Sequence, residues 1–184
     1  MQQNYLDTDK YKKSGAYHWK SYILNKNYRK YVDKVISCLL KHENLNESIL
    51  DMGCGDGLFT YLLRKNGLKT YGYDIDSVAI NIANIIDPST KHADFLHKIN
   101  YQTLLLFDVF EHIINLKEFK ENILSRIKEK VYLVNPQNKS KSDLHVKNYK
   151  NKEIITLFNL WNFKLVTTFD LKFVQKPLLR FKRF

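Results

Sequence analysis

The sequence predicts an α/β fold, a mostly parallel sheet with helices on both faces. Three observations carry that prediction. Short apolar runs of strand length alternate with longer stretches of helical period. The first run, Ser48 to Met52, leads directly into Gly53, Gly55 and Gly57, three of the chain's six glycines. Successive runs end in or beside an aspartate, namely Asp51, Asp74, Asp94 and Asp108. In such sheets ligands bind outside the carboxyl ends of the strands, so these four carboxylates are expected to line one crevice.

The elements follow in order. Residues 1–26 are polar, basic and aromatic without a clear period, and read as an irregular segment or short helices capping a substrate site. Residues 27–184 read as the main domain. Asn27 to Lys41 places Tyr28, Tyr31, Val32, Val35, Ile36 and Leu39 at helical spacing. Leu58 to Lys65 reads as a helix closed by Gly67. Thr70 to Tyr73 is a second strand, and Ser77 is suited to cap a helix through Ile85. Lys91 to Ala93 is a short third strand, and Leu104 to Phe107 a fully apolar fourth. A helix is expected over Leu116 to Ile127. A fifth strand, Val131 to Val134, is stopped by Asn135-Pro136. Asn151 to Trp161 is amphipathic. Lys164 to Phe169 and Leu178 to Phe184 complete a seven-stranded or reduced sheet.

At 184 residues the chain is one domain by length, with room for a substantial core. No apolar run reaches the roughly 18 residues of a membrane span, and the first residues lack the apolar core of a signal peptide. Cys38 and Cys54 suggest no disulfide framework. A cytoplasmic protein is expected. The net charge of +11 is unevenly divided. Residues 1–41 carry nine Lys/Arg against three Asp/Glu, residues 42–116 five against ten, and residues 117–184 sixteen against six. An acidic centre between basic arms suits a cationic ligand in the middle and an anionic substrate approached by the arms. A Lys-rich composition spread over solvated faces gives the same numbers.

The glycine loop narrows the ligand. A dinucleotide loop reads Gly-x-Gly-x-x-Gly and sets a pyrophosphate on a helix N-terminus. Here the glycines stand at 53, 55 and 57, and Leu58 takes the place of the third dinucleotide glycine. Asp51 precedes the loop and Asp56 lies within it. Two carboxylates repel a pyrophosphate and favour an amino group and a sulfonium.

Ile49-Leu50-Asp51-Met52-Gly53-Cys54-Gly55-Asp56-Gly57 resembles the first motif of class I S-adenosylmethionine-dependent methyltransferases. Tyr71-Gly72-Tyr73-Asp74-Ile75-Asp76-Ser77 resembles their second-strand motif. Ala93-Asp94-Phe95 resembles their third-strand end, and Phe107-Asp108-Val109-Phe110-Glu111-His112-Ile113 the fourth-strand motif of a subgroup with quinone, small-molecule and glycan-cluster enzymes. The resemblance implies a Rossmann-like methyltransferase fold and S-adenosyl-L-methionine as cofactor. It implies that Asp51, Gly53, Cys54, Gly55, Phe107 and Asp108 hold the cofactor and that Asp74 binds the ribose hydroxyls. Asp94 would meet the adenine amine, with Phe95 or Ile75 on the ring.

Candidates for handling the methyl acceptor are Glu111, His112 and His145, with His18, Tyr11 and Tyr17 as further bases in reach of the same crevice. Asp108-x-x-Glu111-His112 with His145 is also a possible divalent-metal set. Small-RNA 2′-O-methyltransferases use a similar Glu-x-x-Glu-His, but Asp108 replaces the first Glu and the surroundings of His145 differ, so no metal is expected. The acceptor is read as a small anionic or glycan-like molecule, with transfer to oxygen or nitrogen. RNA, or a binding module without chemistry, is the alternative. The basic, apolar C-terminus suits an edge strand or weak contact with an anionic membrane.

Overall fold

The computed structural model describes residues 10–88, 90, 100–135, 147, 149–171 and 176–184. The sheet contains strands β1 (Ser48–Met52), β2 (Lys69–Tyr73), β3 (Tyr101–Phe107), β4 (Ile127–Val134), β5 (Phe163–Leu171) and β6 (Lys176–Arg183). Their order across the sheet is β2-β1-β3-β4-β6-β5. Strands β2, β1, β3 and β4 run parallel, and β6 is antiparallel to both β4 and β5. The sheet is therefore mixed and six-stranded among the described residues. The strand expected at 91–93 lies outside them.

The helices are α1 (Lys10–Ser14), α2 (Tyr17–Leu24), α3 (Lys26–His42), α4 (Leu58–Lys65), α5 (Ser77–Ile86), α6 (Leu116–Asn122) and α7 (Asn151–Leu160). Two cores sandwich the sheet. On one face Ile49, Leu105, Tyr132, Val134 and Leu178 meet α3 and α4 through Val32, Val35, Leu39, Leu58 and Leu63. On the other, Leu50, Leu104, Leu106, Leu133 and Phe181 meet Phe110, Phe119, Ile154 and Phe158. Burial on both faces explains why Leu104-Leu105-Leu106 is apolar without alternation.

Two boundaries depart from expectation. The helix from Leu116 stops at Asn122, a short 3-10 turn covers Leu124–Arg126, and Ile127 already opens β4. Ile127, Val131 and Val134 favour the pleated sheet more than a helix end. Asp76, not Ser77, caps α5, its carboxylate accepting the amides of Val78 at 2.8 Å and Ala79 at 3.3 Å. Asp is as good a cap as Ser, and its earlier position lets it take both orphan amides. After α4, Gly67 takes φ +90, and the Leu68 amide returns to the Leu63 carbonyl at 3.1 Å, the six-to-one closure expected of a helix ending in glycine. Among the described residues no helix is long and apolar enough to cross a membrane.

Candidate functional site

The carboxyl ends of β1, β2 and β3 meet at the glycine loop, which links β1 to α4. Four of its amides turn inward. Gly53 and Cys54 both donate to the Tyr73 carbonyl, at 2.7 and 3.0 Å, and Gly57 donates to the Cys54 carbonyl at 3.0 Å. Gly55 donates to the Asp74 carboxylate at 2.8 Å. A phosphate cradle needs such amides free, so this loop is not built for a pyrophosphate. Close approach, as much as positive φ, dictates glycine here. A Cβ on Gly53 (φ +72) would stand 2.4 Å from Val109 Cγ2, and one on Gly55 (φ +56) 1.9 Å from the Tyr11 hydroxyl.

Three carboxylates surround the loop, with different surroundings. Asp74 accepts from Gly55 and, at 2.9 Å, from the Asp76 amide. Burial raises its pKa, and the two amides oppose that rise. Asp51 is buried within β1 and accepts the Thr60 hydroxyl at 2.7 Å. Burial pushes its pKa up to about 7, the Thr60 bond working against the shift and the Asp74 charge adding to it. Asp56 corrects an expectation. Its fully buried carboxylate does not face the crevice but takes the His18 amide at 2.8 Å and His18 Nδ1 at 3.1 Å. Its backbone carbonyl accepts Trp19 Nε1 at 2.9 Å. The open amino end of α2 draws the carboxylate to itself.

Helices α1 and α2 thus lie directly on the loop. Tyr11 and Tyr17 are 5.0 Å apart, and Tyr17 and His18 4.0 Å, by ring centroids. Tyr28 and Tyr31 of α3 continue this wall, 5.9 Å apart. The Tyr31 hydroxyl is buried without a hydrogen bond. Burial raises both phenols' pKa values, and the Asp108 charge adds to each. Tyr31 packs edge-on against Phe59, which meets Phe107, so α3 faces the end of β3. Helical period alone marked Tyr28 and Tyr31 as packing residues, and Thr60 carried no signal. The only available hint was the run of aromatics from Tyr11 to Tyr31.

At the end of β3 the chain turns through Asp108, which adopts φ +55 and donates its amide to the Val134 carbonyl at 3.0 Å. Phe107 packs its ring on Phe59, 5.0 Å away, while Val109 reaches the glycine loop. Phe110–His112 form a short 3-10 turn that buries Glu111 and leaves His112 half-buried. Ile75 packs partly buried against the core, and Cys54 is buried beneath the loop. Asp94, Phe95 and His145 lie outside the described residues. Among the described residues no group of three or more His, Cys, Asp or Glu is arranged to hold a metal ion.

The antiparallel strand β6 is set inside the β5 edge rather than at the edge expected of the C-terminus. An inward-turned glycine loop, a carboxylate at the end of β2 tied to it, and a parallel sheet with this one antiparallel strand define a class I S-adenosylmethionine-dependent methyltransferase. The family described as "Methyltransferase domain" matches residues 24–167, and the chain belongs to it. It is 29% identical over 105 residues to a ubiquinone biosynthesis O-methyltransferase of Rickettsia bellii, covering 50% of this chain. The chain spans 43% of the length of the curated relatives it matches. Magnesium protoporphyrin IX methyltransferase from Synechocystis PCC 6803, solved with S-adenosylhomocysteine bound, superposes with a TM-score of 0.71 at 19% identity, covering 96% of this chain and 97% of that one. A TehB-like S-adenosylmethionine-dependent methyltransferase from Corynebacterium glutamicum gives 0.66 at 14% identity, covering 92% and 96%. The residues present fit the cofactor, S-adenosylmethionine: a glycine loop whose Gly53, Cys54, Gly55 and Gly57 amides are already bonded, and carboxylates for an amine and hydroxyls.

Proposed function

We propose that this chain transfers the methyl group of S-adenosylmethionine to an oxygen or nitrogen of a small, hydroxyl-bearing, glycan-like acceptor, with an anionic substituent tolerated. The observation that carries the reading is the Gly55–Asp74 bond, which joins the loop after β1 to the end of β2. That junction suits a nucleoside with free ribose hydroxyls. Asp51, Gly53, Cys54, Gly55, Asp74, Phe107 and Asp108 are assigned to the cofactor, with Asp94 at its adenine amine and Phe95 or Ile75 on the ring. Bound there, the cofactor supplies an activated methyl group, and the protein's part is to align the acceptor and exclude water. Residues 1–26 act as the cap.

The acceptor class is supported by the wall facing β3. Tyr17 and Tyr28, both half-buried, offer ring faces that suit sugar rings. Lys10, 4.1 Å over the Tyr17 ring, offers a cation for an anionic substituent. Glu111 and His112, with His145, are assigned to positioning the acceptor.

Calorimetry with S-adenosylhomocysteine, followed by transfer from methyl-labelled cofactor to sugar phosphates, simple phenols and mixed RNA, tests the reading. Product binding and label on the sugar probes are expected. Absence of product binding at millimolar concentration overturns it, and label only on RNA replaces the acceptor.

A further inference from the structure

Asp56 is fully buried in the loop after β1, and its carboxylate is taken by His18. Its bond to the His18 amide closes the open end of α2 and is sufficient for that. The second bond, to the imidazole, is extra. A carboxylate on Nδ1 fixes the tautomer, with the hydrogen on Nδ1 and a lone pair on Nε2. Every hydrogen bond formed by the ring among the described residues uses Nδ1.

The ring is also held in place. Tyr17 lies 4.0 Å away on one side, and Tyr28 lies 6.5 Å away and only 9° from parallel. His18 Cε1, the carbon between the two ring nitrogens, comes within 3.2 Å of where a Gly55 Cβ would be. The imidazole therefore rests its Cε1 edge on the glycine loop, and its hydrogen bonds among the described residues leave Nε2 unused. Tyr28 meets Tyr31, Tyr31 meets Phe59 and Phe59 meets Phe107, so the same wall runs from His18 to the end of β3.

We propose that His18, oriented by Asp56, is the proton acceptor for methyl transfer. The inference rests on the methyltransferase reading above and adds a residue to it. For a hydroxyl acceptor, its proton passes to His18 Nε2 while its oxygen forms the new bond to the methyl carbon. The electron pair of the broken carbon–sulfur bond stays on sulfur, and the imidazolium left behind is stabilised by Asp56. The proton then leaves to solvent, which reaches the ring because 29% of the His18 side chain is exposed.

The test uses the full chain labelled with nitrogen-15. Long-range imidazole spectra, taken well above the ordinary imidazole titration range, are expected to give His18 as the Nδ1–H tautomer, and Asp56→Asn is expected to release it to a mixture. Adding S-adenosylhomocysteine should shift the His18 ring signals and slow carbethoxylation of His18 by diethylpyrocarbonate at least severalfold. His18→Gln keeps the backbone bond to Asp56, so its affinity for S-adenosylhomocysteine should stay within about threefold, a smaller loss than removal of a charge-assisted hydrogen bond gives. An Nε2–H tautomer overturns the proposal. So do ring signals and a modification rate that stay unchanged in a complex whose formation other residues' shifts establish. A protein that binds no S-adenosylhomocysteine removes the methyltransferase reading itself, a different and separately visible failure.

Discussion

The Thr60 hydroxyl, on α4, donates to the Asp51 carboxylate, on β1, at 2.7 Å, with both side chains buried. Burial raises the Asp51 pKa from 3.8 to about 7. A cationic group arriving beside it favours the carboxylate and expels the proton. Affinity for S-adenosylhomocysteine, whose amino group is the cation, should therefore rise between about pH 6 and 8, with proton release. Calorimetry in buffers of different ionisation enthalpy measures this, and Asp51→Asn should flatten it. The unliganded protein behaves oppositely. A carboxyl with a raised pKa contributes stability that is complete below its unfolded value and lost as pH rises through the folded one. Melting temperature without ligand should thus fall from about pH 4 to 7 through this group, and less so in Asp51→Asn.

Asp74 accepts the amides of Gly55 and Asp76. Asp74→Ala removes that tie and the carboxylate offered to the ribose. Charge-assisted bonds of this kind contribute about 1.5–3 kcal/mol each, so affinity for S-adenosylhomocysteine should fall at least tenfold by calorimetry, while circular dichroism retains the fold.

Gly55→Ala meets two penalties. The left-handed backbone costs about 1–2 kcal/mol for a residue with a Cβ, and the new carbon would stand 1.9 Å from the Tyr11 hydroxyl. Urea unfolding should show a loss of about 2–4 kcal/mol, the upper part from overpacking. Tyr11→Phe removes the clashing oxygen, so the double variant should lose less than the sum of the two single ones. Strict additivity would mean that Tyr11 does not rest on the loop.

A buried ion network lies at the other end of the sheet. Glu43 accepts Thr103 Oγ1 at 2.6 Å, Tyr132 Oη at 2.7 Å and Lys130 Nζ at 3.3 Å, and Lys130 also reaches Glu47 at 2.6 Å. Glu43→Ala leaves the buried Thr103 and Tyr132 hydroxyls unpaired and Lys130 with Glu47 as its remaining carboxylate, and should cost about 2–4 kcal/mol in denaturant unfolding. The folded fraction should bind S-adenosylhomocysteine as before, because the network sits near the amino end of β3, away from the glycine loop.

The local signals were legible wherever one kind of residue did one job. The apolar runs of β1, β3 and β4 and the period of α3 and α7 gave the architecture, and the resemblance of the Gly53 and Asp74 motifs to a known family gave the cofactor class. Boundaries failed where two neighbours could do the same task. Asp76 and Ser77 are both good caps, and Leu124 to Ile127 suits a helix end or a strand start. Asp56 was misread because its sequence neighbours are the glycines, whereas its partner, His18, is 38 residues away.

By itself, the sequence determined which loop would bend, which strands would be buried on both faces, and what kind of cofactor the loop accepts. These depend on backbone conformation and short-range pattern, which a few adjacent residues set. Tertiary structure alone decided that the loop amides are already used by Tyr73 and Asp74, that Tyr11 covers Gly55, and that Asp56 orients His18. Those contacts join segments distant along the chain, and hydrogen bonds and ring packing depend on distance in space, which one-dimensional order does not encode.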